Sequence, residues 1–342
     1  MNASMPLDLP RLDLRGFVSP VQPLHRLSEE LGVEVWAKRD DLGSVGLAGN
    51  KVRKLEVELA RARELGATHL VTEGSRHSNA TRAAAAAAAA LGMRCTLVLC
   101  HDEPKEPVGN LLLDALFGAD LRLVGDISWV ELAQRTSDVV AELEADGEHV
   151  YRLPIGSATG RGATSFARAY RELDEQMAAE GASFSTIVHA SSAGSTHAGL
   201  VLGRAIKGAD TRILGVVVAE NVYDDVPGRY LQLAREAAAL VAPTIEIGAD
   251  ALEITEQYLG EGYGKPADGV YEAIDLMARL EGIVVDPVYT GKAAAALIDQ
   301  ARRQTLRGPV VFWHTGGYHA MFDPAYTSVV WGNVPRLRQL EL

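Results

Sequence analysis

A lysine at the start of a predicted helix is the residue of this chain best suited to covalent chemistry. It ends the stretch Ala48-Gly49-Asn50-Lys51, in which a glycine turn leads into a helical pattern. The positive end of a helix dipole weakens the preference of an ammonium group for its charged form, and a neutral amine is what attack on an aldehyde requires. Lys51 is therefore a candidate for Schiff-base chemistry. A surface lysine at a helix start is the alternative.

Two segments have the composition of anion-binding turns. In the first, a strand-like run ends at Gly74, and a helix begins at Ser78-Asn79 directly after His77. The free N–H groups and dipole of such a helix start would suit a substrate carboxylate. The Ser78 hydroxyl could also transfer a proton if a base or a cofactor group activates it. An ordinary N-cap serine is the alternative here.

The second segment covers residues 189–199, follows an apolar strand and opens another helix. Its small residues would let the backbone approach a phosphate closely. The segment matches neither the GxxxxGK[ST] loop nor the GxGxxG fingerprint, so ATP and NAD lose their best sequence support. A phosphate on another cofactor stays open, and a tight strand-to-helix turn without a ligand is the alternative.

Three later segments place polar side chains beside glycines, around Tyr263, Tyr289-Thr290 and His314-Thr315. Ligands of open α/β sheets bind at strand ends, so these residues are candidates for a binding site. Half-buried tyrosines with satisfied hydroxyls and a core histidine are the alternatives.

Composition limits the class of protein. A chain of 342 residues with 47% hydrophobic content can bury a large core in two domains or one large α/β domain. The formal net charge of −12 disfavours nucleic-acid and anionic-membrane partners. Two cysteines, no signal-peptide core and no transmembrane-length apolar run favour a cytoplasmic enzyme with a small-molecule ligand. Dispersed histidines and the absence of HExxH, CxxC and GxSxG motifs disfavour metal sites and hydrolases.

The elements that must position these residues alternate between strands and helices, which predicts an α/β fold with a parallel sheet. Apolar residues of Val52 to Ala62 share one helix face, and this helix ends at Gly66. A second helix begins at Ser78-Asn79 and runs through an alanine stretch to Gly92. The predicted strands are residues 34–37, 69–72, 95–99, 121–124, 186–189, 212–218, 283–285 and 310–313.

In chain order, these motifs resemble those of the fold type II pyridoxal-phosphate enzymes, and within them the group of D-cysteine desulfhydrase and 1-aminocyclopropane-1-carboxylate deaminase. The resemblance extends from Pro23-Leu24 and residues 38–42 to residues 314–317. It implies a tryptophan synthase β-like fold of two open twisted α/β domains with the cofactor in the cleft. Residues 1–47 and 161–342 would form the larger cofactor domain, and residues 48–160 the smaller inserted domain. A homodimer is also implied.

The resemblance assigns roles to the candidate residues. Lys51 would carry pyridoxal 5′-phosphate as a Schiff base, and Asn79 would hydrogen-bond the 3′-oxygen of the cofactor. Ser78 would meet the substrate carboxylate or move a proton. Tyr289 would lie against the cofactor ring and Tyr263 would face the substrate. The other expected contacts are Asn50, Ala193, Gly194, Ser195 and Thr196 for the cofactor, with the last four around its phosphate, and His77 for the substrate.

Two departures from the family pattern bear on the substrate. The deaminase carries Glu where this chain has Thr290, and a hydroxyl partner from Thr290 or Thr315 cannot keep the pyridine nitrogen protonated as a carboxylate can. This difference favours elimination of a β leaving group over opening of a cyclopropane. Arg161 replaces an apolar or aromatic residue and could pair with an acidic substrate side chain such as a sulfonate. A solvent-facing arginine is the alternative.

The expected function is that of a pyridoxal-phosphate-dependent lyase acting on a small amino acid by α,β-elimination and deamination. The products would be a 2-keto acid, ammonia and a β leaving group such as sulfide. Either Lys51 or Ser78 would take the Cα proton. Alternatives are the deaminase, a cysteate sulfo-lyase, a β-replacement synthase or racemase, a cofactor-binding protein without turnover, and an α/β binding protein without the cofactor.

Overall fold

The computed structural model describes residues 9–43, 45–47, 49–100, 108–220, 222–306 and 308–333. These residues form two sheets with helices packed on them, so the α/β fold class is confirmed. Among them, no helix is both long and apolar enough to cross a membrane.

Six strands form the larger sheet, in the order β1-β2-β10-β7-β8-β9. Strand β1 is antiparallel to β2, and the other neighbours are parallel. Parallel strands end at the same edge of a sheet, so the segments that follow β7 and β10 come together there. The strands are β1 (Val21–Pro23), β2 (Val35–Arg39), β7 (Thr186–Ser191), β8 (Arg212–Val217), β9 (Glu253–Thr255) and β10 (Val310–His314).

Four parallel strands form the smaller sheet, in the order β5-β4-β3-β6. They are β3 (His69–Ser75), β4 (Arg94–Cys100), β5 (Asp120–Leu123) and β6 (Val150–Leu153). All four lie within the predicted inserted domain of residues 48–160, whose boundaries stay a prediction.

Helices cover both sheets and bury their apolar faces against them. The helices are α1 (His25–Leu31), α2 (Lys51–Glu64), α3 (Asn79–Leu91), α4 (Gly109–Leu116), α5 (Trp129–Ala145), α6 (Gly160–Ala179), α7 (Ser195–Lys207), α8 (Val226–Val241), α9 (Val270–Glu281), α10 (Thr290–Arg302) and α11 (Pro324–Asn333). Short 3-10 helices cover Val45–Leu47, Ile155–Ser157, Ala249–Ala251 and Tyr318–Phe322. The alanine stretch of α3 is buried from Ala83 to Ala88, as its small side chains predict.

A buried ion cluster lies near the start of α2 and joins it to β2 and α6. The Arg53 guanidinium donates to Asp40 Oδ1 at 2.8 Å and to Glu172 Oε1 at 2.7 Å. The Lys38 ammonium also contacts Glu172, at 2.5 Å. Burial alone would raise the pKa of Glu172, but the hydrogen bonds and charges of Arg53 and Lys38 hold it below its ordinary value.

Seven of the eight predicted strands are confirmed, with shifts of up to three residues at their ends. Residues 283–285 are not a strand, so that prediction was wrong. Ile283 and Val285 are buried, which explains the apolar signal, but they form the connection between α9 and α10. The Val284 carbonyl accepts from His314 Nε2 at 2.8 Å instead of joining a ladder. Sequence reasoning missed β1, β6 and β9, which have only three or four residues each.

Candidate active site

Lys51 begins α2 and lines a cavity between the two sheets. The turn before it is fixed by backbone contact, since the Asn50 N–H donates to the Thr315 carbonyl at 3.1 Å. Burial lowers the pKa of Lys51 to about 8. The charged form of Lys51 is therefore disfavoured, as expected from the sequence, and burial is the main cause. The cavity is lined by Asn50, Lys51, Lys54, Asn79, Ala190, Ser191, Ser192, Ala193, Gly194, Thr196, Val218, Tyr289 and Thr315.

A second lysine, Lys54, lies one helical turn after Lys51 and is 2% exposed. Its amino group donates to the Gly156 carbonyl at 3.3 Å and is hydrogen-bonded to Lys51. Burial and the charge of Lys51 hold the pKa of Lys54 well below its ordinary value. Sequence reasoning missed this residue, although the i, i+3 spacing of the two lysines places them on one helix face.

The loop between β7 and α7 has the features of a phosphate site. Gly194 has φ 92° and lies against the Tyr230 ring, where a Cβ would come within 2.3 Å of a ring carbon. The buried Ser195 hydroxyl has no hydrogen-bond partner among the described residues. The Thr196 hydroxyl accepts from Asn50 Nδ2 at 3.1 Å. An unpaired hydroxyl at the start of a 13-residue helix fits an anionic oxygen ligand.

A second cavity adjoins the first, and Lys51, Asn79 and Tyr289 are among the residues that line both. Ser75, Ser78 and Tyr263 give this cavity a wall of hydroxyl groups. Most of the other residues that line this cavity are apolar. The other residues that line it are Gly74, Ala80, Trp129, Ile155, Gly156, Ser192, Ala193 and Val222.

Hydroxyl groups form a connected chain along this second cavity. Ser75 Oγ and Tyr263 Oη are 2.8 Å apart, and the Tyr263 and Tyr289 hydroxyls are hydrogen-bonded to each other. Burial raises the pKa of Tyr263 to about 12 and that of Tyr289 well above its ordinary value. Both phenols therefore keep their protons at neutral pH and can act as donors.

Ser78 is the N-cap of α3, as the structural alternative for this residue proposed. Its Oγ accepts from the backbone N–H groups of Ala80 and Thr81 at 3.2 and 3.3 Å. These bonds use the oxygen lone pairs and leave the hydroxyl proton to be donated. Gly74 permits this arrangement, because a Cβ there would lie 2.8 Å from Ser78 Oγ. Capping and a role in the cavity are therefore compatible.

The two threonines expected at the pyridine nitrogen have different surroundings. Thr290 is buried and is not among the residues that line either cavity. Its hydroxyl donates its single proton to Asp286 Oδ1 at 2.6 Å. Thr315 does line the first cavity. The structure therefore brings Thr315, and not Thr290, to the first cavity.

His77 and Arg161 line neither cavity. The His77 ring packs against Tyr326, with centroids 5.5 Å apart, and its Nδ1 is 3.7 Å from the Asp323 carboxylate. Arg161 lies in the first turn of α6, where Gly162 occupies the face toward Lys54. The structure therefore does not bring Arg161 to a substrate side chain.

Trp129 is a further cavity residue that sequence reasoning missed. It is the first residue of α5, and its ring contacts Tyr263 edge-on at 5.6 Å between centroids. Its Nε1 donates to the Glu220 carbonyl at 3.2 Å. The Ser128 capping box marks the helix start in the sequence, but no pattern shows that this helix ends at the cavity.

Comparisons with known proteins agree with this geometry. Residues 12–316 match the family described as pyridoxal-phosphate dependent enzyme. The chain is 37% identical over 320 residues to D-cysteine desulfhydrase of Serratia proteamaculans (strain 568), covering 92% of this chain and 95% of that protein. D-cysteine desulfhydrase of Yersinia pestis (strain Pestoides F) is 38% identical over 320 residues, with the same shares covered.

Solved structures show the same architecture. The crystal structure of an ACC deaminase homologue superposes with a TM-score of 0.88 and 34% identity, covering 97% of this chain and 99% of that one. Threonine deaminase isoform 2 from Solanum lycopersicum shares the fold, with a TM-score of 0.66 at 16% identity over 94% of this chain and 84% of that one. The expected fold type II architecture is confirmed.

Proposed function

This chain belongs to the family of pyridoxal-phosphate dependent enzymes, and we propose that it is a lyase that removes the β substituent and the amino group of a small amino acid. D-cysteine is the first candidate substrate, with pyruvate, ammonia and sulfide as products. The observation that carries this proposal is the position of Lys51, between a phosphate-type helix start and a hydroxyl-lined cavity.

The residues of the first cavity fit pyridoxal phosphate. Lys51 would bind its aldehyde, while Asn50 and Thr196 with the N–H groups of α7 would hold its phosphate. Ser195 is not among the residues that line the cavity, but its buried and unpaired hydroxyl at the same helix start would complete this phosphate site. Thr315 would face the pyridine nitrogen. When bound, the cofactor supplies an electron sink that makes the substrate Cα–H acidic. The protein residues supply binding, orientation and proton transfer.

Proton transfer at Cα has two candidate groups in this site. The amine of Lys51 has a pKa of about 8, so a substantial neutral fraction is present near neutral pH. The Ser78 hydroxyl lines the second cavity, and because its Oγ already accepts from two backbone N–H groups, it would deliver a proton rather than take one unless a base first removes its own proton. The N–H groups at the start of α3 would hold the substrate carboxylate beside Ser78 and Asn79. One proton of the Tyr263–Tyr289 pair lies between the two hydroxyls, and the other phenol proton would be donated to the oxygen or sulfur atom of the departing group.

The lining of the cavities favours elimination over cyclopropane opening. Among the described residues that line the first cavity, none carries a carboxylate. A pyridine ring whose nitrogen faces a threonine hydroxyl would withdraw electrons less strongly than a ring that a carboxylate keeps protonated. The weaker electron sink suits loss of a β leaving group. The ACC deaminase activity named for a structural relative is therefore the second candidate.

The second cavity also indicates the size and charge of the substrate. Trp129, Ile155 and Val222 give it an apolar wall, and Lys51 is the one charged group among its described lining residues. Among the described residues, no arginine lines this cavity to pair with a sulfonate. An uncharged side chain the size of that of cysteine or serine fits this lining, so cysteate ranks below them.

We also propose a cytoplasmic homodimer and keep the domain boundaries at residues 47/48 and 160/161.

The visible absorption spectrum of the purified protein tests this function. We expect a band of bound pyridoxal phosphate that shifts with D-cysteine or β-chloroalanine, together with release of keto acid and ammonia. Lys51→Ala should abolish both the shift and the turnover, while Arg161→Ala should change neither. Undiminished turnover in Lys51→Ala would overturn the proposed mechanism.

Product analysis separates the alternatives. Trapping of a second nucleophile would indicate a β-replacement synthase, and inversion of Cα without loss of sulfide would indicate a racemase. A band that responds to no D- or L-amino acid would indicate a cofactor-binding protein without turnover.

A further inference from the structure

We propose that Arg82 and Asn110 are positioning residues that hold the amide of Asn79 with its N–H donors toward the cofactor and its oxygen away from it. This inference rests on the proposed function, since it assigns a purpose to the orientation of a residue at the cofactor. It follows from a chain of hydrogen bonds in which each atom fixes the identity of the next.

The chain begins at a backbone carbonyl, which can only accept. The side chain of Asn110, on α4, places its Nδ2 atom 2.8 Å from the oxygen of His77. An amide oxygen in that place would face another oxygen with no proton between them. The Asn110 atom at this position is therefore its nitrogen.

The same nitrogen fixes the amide of Asn79. Asn110 Nδ2 also lies 3.1 Å from the Asn79 side chain, whose facing atom must accept and is therefore Oδ1. Arg82 confirms this independently, because its Nη2 lies 3.3 Å from the same atom and a guanidinium carries no acceptor. With Oδ1 held by two donors, Nδ2 is the atom left for the cavity that Asn79 lines.

Arg82 is itself rigidly held. It is fully buried, and its Nη1 donates to the Gly46 and Leu47 carbonyls at 3.0 and 2.7 Å. Nη1 also lies 3.0 Å from His319 Nε2, so its two protons are shared among three acceptors. Burial lowers the pKa of His319 to about 3, so this ring is neutral and its Nε2 can accept. Asp114, Tyr318 and Tyr289 are the other titratable groups that act on the guanidinium.

The orientation has a chemical consequence at the cofactor. An N–H group facing the 3′-oxygen stabilises its ionised form and lowers the pKa of that group, whereas a carbonyl oxygen facing it would do the opposite. An asparagine without partners at Oδ1 could present either atom. The bonds from Arg82 and Asn110 hold Oδ1, so Nδ2 is the atom that faces the cofactor. His77 contributes only its backbone carbonyl, which accepts from Asn110, so this contribution does not depend on the side chain of residue 77.

A double-mutant cycle tests this inference by two readouts other than turnover. The first is the pKa obtained from pH titration of the visible absorption of the holoenzyme, and the second is the dissociation constant of pyridoxal phosphate. We expect Arg82→Met to raise that pKa by about one unit and to weaken cofactor binding by about tenfold. Asn110→Ala should change both readouts in the same direction but by less.

The decisive comparison is made in an Asn79→Ala background. If Arg82 acts through Asn79, adding Arg82→Met to Asn79→Ala should shift the absorption pKa by less than about 0.3 unit, since coupled residues are not additive. Arg204→Met is the matched control, because Arg204 also donates to two backbone carbonyls, those of Thr211 and Ala251, away from the cavity. It should leave both readouts at their wild-type values.

The outcomes are distinct. A full one-unit shift of Arg82→Met in the Asn79→Ala background would overturn the inference, as would the absence of a shift in the wild-type background. Should Arg82→Met fail to fold, Asn110→Ala decides the question in the same cycle. A wild-type protein that binds no pyridoxal phosphate would instead overturn the proposed function. Normal binding with a shift in Asn79→Ala alone would overturn only this inference.

Discussion

Replacing Gly49 with alanine should displace the turn that carries Lys51. Gly49 has φ 63°, and a Cβ there would lie 2.4 Å from the Thr315 carbonyl oxygen and 3.2 Å from Gly316 Cα. Ordinary contacts begin near 3.4 Å, so the turn or the strand end must move by 1.0 Å (3.4 − 2.4). Both obstacles are backbone atoms and cannot rotate away.

The expected destabilisation of Gly49→Ala has two parts. Alanine at positive φ costs about 1 kcal/mol, and a weakened hydrogen bond between Asn50 N–H and Thr315 costs about another 1 kcal/mol. A displacement of 1.0 Å at Lys51 should reduce turnover by about 100-fold. The cofactor should also bind more weakly, because Asn50 belongs to the proposed phosphate site.

Gly66→Ala is the matched control. Gly66 follows the same helix with φ 71°, and a Cβ there would meet nothing within 4 Å. Both variants therefore carry the conformational cost, and only Gly49→Ala carries the clash. Urea unfolding, cofactor titration and steady-state kinetics should show about 1 kcal/mol of additional destabilisation and the whole loss of turnover in Gly49→Ala. Equal stability and equal turnover in the two variants would refute this reasoning.

Three further predictions concern single side chains. Ser78→Ala and Asp225→Ala each remove a helix cap and should each lower the unfolding free energy by about 1 kcal/mol, but only Ser78→Ala should also reduce turnover, by about 100-fold. Equal kinetics in both would show that Ser78 only caps. Thr290→Val should destabilise the protein by about 2 kcal/mol and leave the absorption of the bound cofactor unchanged, whereas Thr315→Val should shift that absorption. A shift in Thr290→Val and none in Thr315→Val would show that Thr290, and not Thr315, faces the pyridine nitrogen. The pKa of Glu172 is lower in the folded protein than in the unfolded chain, where it is about 4.3. The stability that Glu172 contributes is therefore present above this unfolded pKa and is lost as the pH falls below it. Glu172→Gln should accordingly flatten the pH dependence of the unfolding free energy below about pH 5. An unchanged slope in urea unfolding across that range would contradict it.

Local patterns account for the parts of this structure that were predicted from sequence. The helix ends at Gly66 and Gly92, the buried alanines of α3 and the cap at Ser78 all follow from propensity and spacing within a few residues. The order of the motifs identified the family and therefore the cofactor. The position of Lys51 at a helix start was also evident.

The parts that sequence reasoning missed depend on contacts between distant segments. The acceptor of the Thr290 proton, Asp286, lies only four residues earlier, but no local pattern shows that the distant Thr315 lines the cavity instead. Trp129 reaches the cavity only because α5 packs across to Tyr263. Arg161 lies close in sequence to Gly156, which lines the second cavity, but Arg161 itself lines neither cavity.

The contact between the Lys51 turn and Thr315 also constrains when the site can form during synthesis. Asn50 is held at its side chain by Thr196 and at its backbone by Thr315, which emerge from the ribosome 146 and 265 residues later. The lysine is thus made early but acquires its geometry only when nearly the whole chain is available. A nascent chain that ends before β10 carries Lys51 without the burial that lowers its pKa, so the amine keeps the charge preference of an ordinary lysine until β10 has been made.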